Sequence, residues 1–113
     1  MSAPVDVEAL DDLADGEASL VTVDEIGVAL VRQGDEVFAI HDTCSHALES
    51  LSGGWVEDGR IECPRHGAAF RLADGEALTP PATRAVPTFP VEVRDGRVLV
   101  TPTPSCPHPI LDR

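Results

Sequence analysis

The chain has 113 residues, enough for one small domain and too few for a kinase or another catalytic fold of about two hundred residues. Hydrophobic residues make up 42% and charged residues 25%, which excludes disorder of the whole chain. Twenty acidic side chains face eight arginines and no lysine, for a net charge of -12, and nothing before Arg32 is basic. That field opposes binding to nucleic acid or to an anionic membrane and attracts a basic protein partner.

The N-terminal stretch Met1–Ala9 has neither a basic region nor an apolar run, so no secretory signal is expected. No apolar run reaches the roughly 18 residues of a membrane span, so a soluble protein is expected. Val7–Leu13 reads as one amphipathic helical turn. Short alternating or β-branched runs then follow at Ser19–Val23, Val28–Arg32, Val37–His41, Arg60–Cys63, Ala69–Leu72, Val91–Arg94 and Arg97–Thr101. Between them lie turn signals at Asp15-Gly16, Gly34-Asp35, Asp58-Gly59, Asp74-Gly75 and Asp95-Gly96. Asp-Gly steps supply the positive-φ positions that tight hairpins require. Short strands at this spacing predict an all-β sandwich or barrel. Two segments break the rhythm. Residues 42–54 have little β-branching and end in Gly53-Gly54, and residues 76–90 contain Pro80-Pro81, Pro87 and Pro90, which bar central-strand pairing. Four prolines between Thr101 and Pro109 predict a loose extended tail.

The three cysteines, Cys44, Cys63 and Cys106, do not pair evenly, and without an export signal they read as metal ligands, nucleophiles or buried thiols. Two motifs carry the chemistry. Cys44-Ser45-His46 is a Cys-x-His, and Cys63-Pro64-Arg65-His66-Gly67 is a Cys-x-x-His-Gly, with sixteen residues between His46 and Cys63. Each puts one soft thiolate and one imidazole near a turn, and two such arms grip a metal from opposite sides. Zinc held by two Cys and two His is one option. Zinc fingers, however, usually pair Cys with Cys and His with His. Arms that each mix the two types suit a dinuclear centre, in which one iron takes both thiolates and the other both imidazoles.

The two motifs in this order resemble the Rieske iron–sulfur signature. Phe38-Ala39-Ile40, Leu51-Ser52-Gly53-Gly54, Ile61-Glu62-Cys63-Pro64, Phe70, Asp74-Gly75, Pro80-Pro81-Ala82-Thr83 and Val86-Pro87 extend the similarity to the small Rieske-type ferredoxins of bacterial ring-hydroxylating dioxygenases, over about residues 17–101. The resemblance implies an all-β, Rieske-type antiparallel β-sandwich with an inserted cluster-binding subdomain. Residues 1–104 then form the domain, about 42–83 the subdomain, and 105–113 a Pro-rich C-terminal tail. It implies one [2Fe-2S] cluster on Cys44, His46, Cys63 and His66, and no catalytic residue of the chain's own. With two thiolates and neutral imidazoles the oxidised core carries no net charge, whereas four thiolates leave it dianionic; the neutral core is the easier to reduce.

High-potential, quinol-oxidising members of the family carry a disulfide between the two loops and hydroxyl donors to the cluster. The corresponding positions here are Glu49, Arg65, Ala68 and Phe70, which supply neither. A potential near the low end of the family range, about -150 to -50 mV, is expected. The implied function is a one-electron carrier. It takes electrons from a flavin-containing NAD(P)H reductase and passes them to a terminal Rieske oxygenase, as a cytoplasmic monomer with no nucleic-acid or membrane partner. The alternatives are a small Rieske subunit of a reductase such as nitrite reductase, a redox-sensing module, and a zinc-binding interaction module. His41 lies outside the signature and reads as structural or solvent-facing. Cys106-Pro107-His108 repeats the Cys-x-His pattern without a second half, so Cys106 reads as a free exposed thiol.

Overall fold

The computed structural model describes residues 3–45, 48–64, 67–80, 82 and 84–111. In chain order the strands are β1 (Val5–Ala9), β2 (Ala18–Val23), β3 (Ile26–Gln33), β4 (Glu36–His41), β5 (Trp55–Glu57), β6 (Arg60–Glu62), β7 (Ala69–Arg71), β8 (Thr88–Phe89), β9 (Val91–Arg94) and β10 (Arg97–Val100). They build three antiparallel sheets, ordered β1-β10-β9, β2-β3-β4-β8 and β5-β6-β7. All seven strand runs expected from the sequence are present, within a few residues at their ends.

The hairpins follow from local chemistry. Asp58-Gly59 and Asp95-Gly96 have positive φ at both residues and close β5–β6 and β9–β10 through two-residue turns. This conformation matches the twist of the flanking strands. Asp24-Glu25 does the same between β2 and β3, with φ of 49° and 67°, although neither residue is glycine.

The four-stranded sheet is covered on both faces. Along β3, Ala29 and Val31 enter one apolar cluster with Ile40, Leu51, Phe70 and both Cys44 and Cys63. Val28 and Leu30 point the other way and enter a second cluster with Ala39, Phe89, Val98 and Val100. The side-chain alternation of a strand thus turns the continuous run Val28–Val31 into two cores. One core lies under β9 and β10, the other under the cysteine loops and the sheet β5-β6-β7, whose strands fall between Trp55 and Arg71.

The first residues differ from expectation. Val7 belongs to a strand, and only Leu10–Asp12 forms a single 3₁₀ turn. In β1, Asp6 faces Leu99 and Glu8 faces Val98, so the strand bulges at Val7. The bulge lets Val5, Val7 and Leu10 all pack on the second cluster. That is the burial an amphipathic turn would give, achieved while β1 also pairs its backbone with β10. The Pro-rich segment contributes β8, two residues on the edge of the central sheet beside β4, in keeping with the bar on central pairing.

The tail is docked, which corrects the expectation of a loose one. Ser105 bonds Thr88 with both its amide and its hydroxyl, and His108 is buried with Nε2 2.8 Å from the Thr43 carbonyl oxygen. Proline content raised the odds of an extended conformation; it did not preclude docking. Among the described residues, no helix is long and apolar enough to cross a membrane.

Arg97 binds both carboxylate oxygens of Asp6, at 3.0 and 3.1 Å from Nε, and ties β10 to β1. This hydrogen bonding holds the Asp6 carboxyl below its ordinary value of 3.8. Its contribution is present above that value and lost as the pH falls through the lowered one. Asp6→Asn is therefore expected to lower the urea midpoint slightly at pH 7, with the difference from the native chain shrinking as the Asp6 carboxyl is protonated in acid.

Candidate metal centre

Cys44 and Cys63 have no accessible surface, are not joined to each other and pack into the same apolar cluster. Each sits at the start of a short loop closed in the same way. The Cys44 amide donates to the carbonyl of Glu49 at 3.0 Å, and the Cys63 amide donates to that of Ala68 at 2.7 Å. His46 and His66 fall inside these two closures, but both lie outside the described residues, as does Arg65. The structure therefore brings together the two thiols of the expected ligand set.

Side chains that the sequence reading did not single out hold the loops. At the base of the first loop, buried Asp42 accepts the Ser50 hydroxyl at 2.6 Å and the Ser52 amide at 2.8 Å. The Leu51 amide returns to the Asp42 carbonyl at 2.6 Å. Further along, the Ser45 hydroxyl donates to the Arg84 carbonyl at 2.6 Å. In the second loop, Thr79 donates to the Gly67 carbonyl and accepts the Ala69 amide at 2.9 Å. Both bridges end on the Pro-rich segment, so one irregular stretch braces both loops. The available signals were weak: an acid two residues before a ligand motif, and a hydroxyl residue directly before Pro80-Pro81.

The Pro-rich segment is itself anchored at a tight turn. Arg71 pairs with Asp74 and Glu76. The Glu76 amide bonded to Asp74 is the main reason that carboxyl lies below its ordinary value. The Val86 amide donates to the Gly75 carbonyl at 3.0 Å. Gly75 has φ of 77°, and a Cβ there would stand 2.0 Å from the Val86 oxygen. Only glycine satisfies both the backbone conformation and this close approach.

Ala68 and Phe70 are fully buried beside the cysteines, and neither bears a hydroxyl. Leu48, by contrast, stands 76% exposed in the first loop. The two thiols thus sit on a dry floor, while the first loop exposes Leu48. His41 is buried and accepts the Thr43 amide through Nδ1, the structural alternative of its two expected roles. Cys106 is a free, half-buried thiol, and its neighbour His108 uses both ring nitrogens in hydrogen bonds to backbone.

Residues 3–90 match the family of the Rieske [2Fe-2S] domain. The chain belongs to that family. It is 42% identical over 93 residues to a 3-phenylpropionate/cinnamic acid dioxygenase ferredoxin subunit of Photorhabdus laumondii, a match covering 81% of this chain and 88% of the relative. The ferredoxin of carbazole 1,9a-dioxygenase from Nocardioides aromaticivorans superposes with a TM-score of 0.88 at 36% identity, covering 90% of this chain and 100% of that one. A chain in a complex of reduced oxygenase and oxidised ferredoxin of carbazole 1,9a-dioxygenase superposes with a TM-score of 0.87 at 34% identity, covering 94% of this chain and 99% of that one. The Rieske family implies a [2Fe-2S] cluster, and two buried cysteines outside any disulfide, presented by two loops, fit the thiolate half of its donor set.

Two substitutions test the site. Cys63→Ser is expected to abolish the native visible spectrum and the electron paramagnetic resonance signal of the loaded chain. Gly75→Ala is expected to destabilise the fold by about 1–3 kcal/mol in urea, because both φ and the Val86 carbonyl must give way.

Proposed function

We propose that this chain is a one-electron carrier of a multicomponent oxygenase, with Cys44 and Cys63 holding one iron and His46 and His66 the other. Residues 42–83 are then the cluster-binding subdomain. The observation that carries the reading is the pair of buried thiols in loops of a fold shared, over nearly its whole length, with dioxygenase ferredoxins. Bound there, a [2Fe-2S] cluster supplies a site that accepts and releases one electron.

The chain's own residues do the rest. Leu51, Ile61 and Phe70 keep water from the thiolate side. The backbone closures at Glu49 and Ala68 keep both cysteine amides paired. Ala68 and Phe70 offer no hydroxyl to the cluster, which keeps the potential at the low end of the family range. Exposed Leu48 gives a partner an apolar contact on the first loop, two residues along the chain from His46.

The partners of this reading are a flavin-containing ferredoxin reductase as donor and a terminal Rieske oxygenase as acceptor. The carrier itself acts as a cytoplasmic monomer. The net charge of -12 favours fast, transient encounters with basic surfaces on both partners.

Protein-film voltammetry is expected to give a one-electron wave below about 0 mV. Stopped-flow mixing of the reduced chain with an oxygenase component is expected to show oxidation whose second-order rate falls steeply with added salt. A wave well above 0 mV would overturn the reading of Ala68 and Phe70. Failure to reduce any dioxygenase component would overturn the carrier assignment.

A further inference from the structure

Two buried histidines bracket Thr43, the residue before Cys44. His41 ends β4, and His108 comes from the tail, 65 residues beyond Thr43 and outside the stretch 3–90 that matches the family. Both are 4% exposed, and their ring centroids lie 4.6 Å apart at 57°. The Thr43 amide donates to His41 Nδ1 at 3.1 Å. On the other side of the residue, His108 Nε2 lies 2.8 Å from the Thr43 carbonyl oxygen. A carbonyl only accepts, so Nε2 carries the proton. Nδ1 then accepts the amides of Ile110 and Leu111, each at 3.2 Å. The two nitrogens have separate tasks: Nδ1 folds the chain end back on the ring, and Nε2 reaches the first cysteine loop.

The Thr43 carbonyl belongs to the same peptide group as the Cys44 amide, and that amide closes the loop on Glu49. A donor on the carbonyl fixes the plane of this peptide and polarises its N–H, strengthening the bond on the far side. Hydrogen bonds one step behind a metal ligand orient it and tune the metal. We infer that His108 is a positioning residue for Cys44, through which the C-terminal tail stiffens the thiolate side of the metal centre. The inference rests on the reading of Cys44 as a cluster ligand.

Two isosteric substitutions separate the tasks of the ring. His108→Gln places an amide nitrogen where Nε2 stood and keeps a donor for Thr43. His108→Asn places an oxygen where Nδ1 stood, keeps the turn at Ile110 and Leu111, and removes the donor. Three readouts are taken on the full, cluster-loaded chain: the electron paramagnetic resonance line shape after reduction, the rate of iron release to a chelator, and hydrogen exchange of the peptide spanning residues 42–51. The glutamine variant is expected to match the native chain. The asparagine variant is expected to release iron about fivefold faster, with broadened lines and faster exchange. An asparagine variant indistinguishable from native, or a glutamine variant as impaired as the asparagine one, overturns the proposal. Cys44→Ser run alongside separates the two readings. If it keeps the native signal, the ligand reading falls and the positioning role with it. If it loses the signal while the asparagine variant stays native, only the positioning role falls.

Discussion

A loop that carries a buried thiol must still find partners for its own backbone, and here the sheets do not provide them. The two amide-to-carbonyl closures, Cys44 to Glu49 and Cys63 to Ala68, answer that constraint. Each makes a small ring of backbone with the thiol facing the apolar floor. Polar side chains that would otherwise compete with secondary structure then complete the pairing. Asp42, Ser45 and Thr79 all reach backbone groups in neighbouring segments, as Asp, Ser and Thr readily do. The Pro-rich segment follows from the same need, for its Arg84 carbonyl accepts from Ser45 and its Thr79 side chain serves the second loop.

The rest of the fold holds that segment still. β3 and β4 form a wall with an apolar core on each side, so the cysteine loops and the far sheet β1-β10-β9 lean on the same backbone. The His41 amide donates to the Pro87 carbonyl, which fastens the Pro-rich segment to this wall next to the first loop. A close-packed interior transmits strain rather than absorbing it. Displacement of Cys44 or Cys63 would therefore have to disturb the core of the domain.

Much of this was legible in the sequence because the relevant signals are local. Asp58-Gly59 and Asp95-Gly96 mark turns that require positive φ, and β-branched alternation marks the strands between them. The hairpin at Asp24-Glu25 carries no such signal, since its backbone is imposed by the pairing of β2 and β3 on either side. β1 was obscured by its bulge, which gives Val7 and Leu10 a spacing that also suits a helix. Cys44 and Cys63 could be read because their motifs lie within a few residues of a turn. Asp42, Thr79 and above all His108 could not. Their partners are distant in sequence or are backbone atoms, and neither leaves a pattern of residue types.

The contact between Ser105 and Thr88 closes off the margin of the central sheet. β8 lies between two prolines and has only Thr88 and Phe89 to present. The amide and carbonyl of Thr88 are both taken by Ser105, which stands where a further strand would begin. An incoming chain finds no ladder to extend there, and self-association through that side is blocked. A carrier that must leave each partner quickly gains from such a seal, because the β8 edge of its central sheet is not left to template another chain.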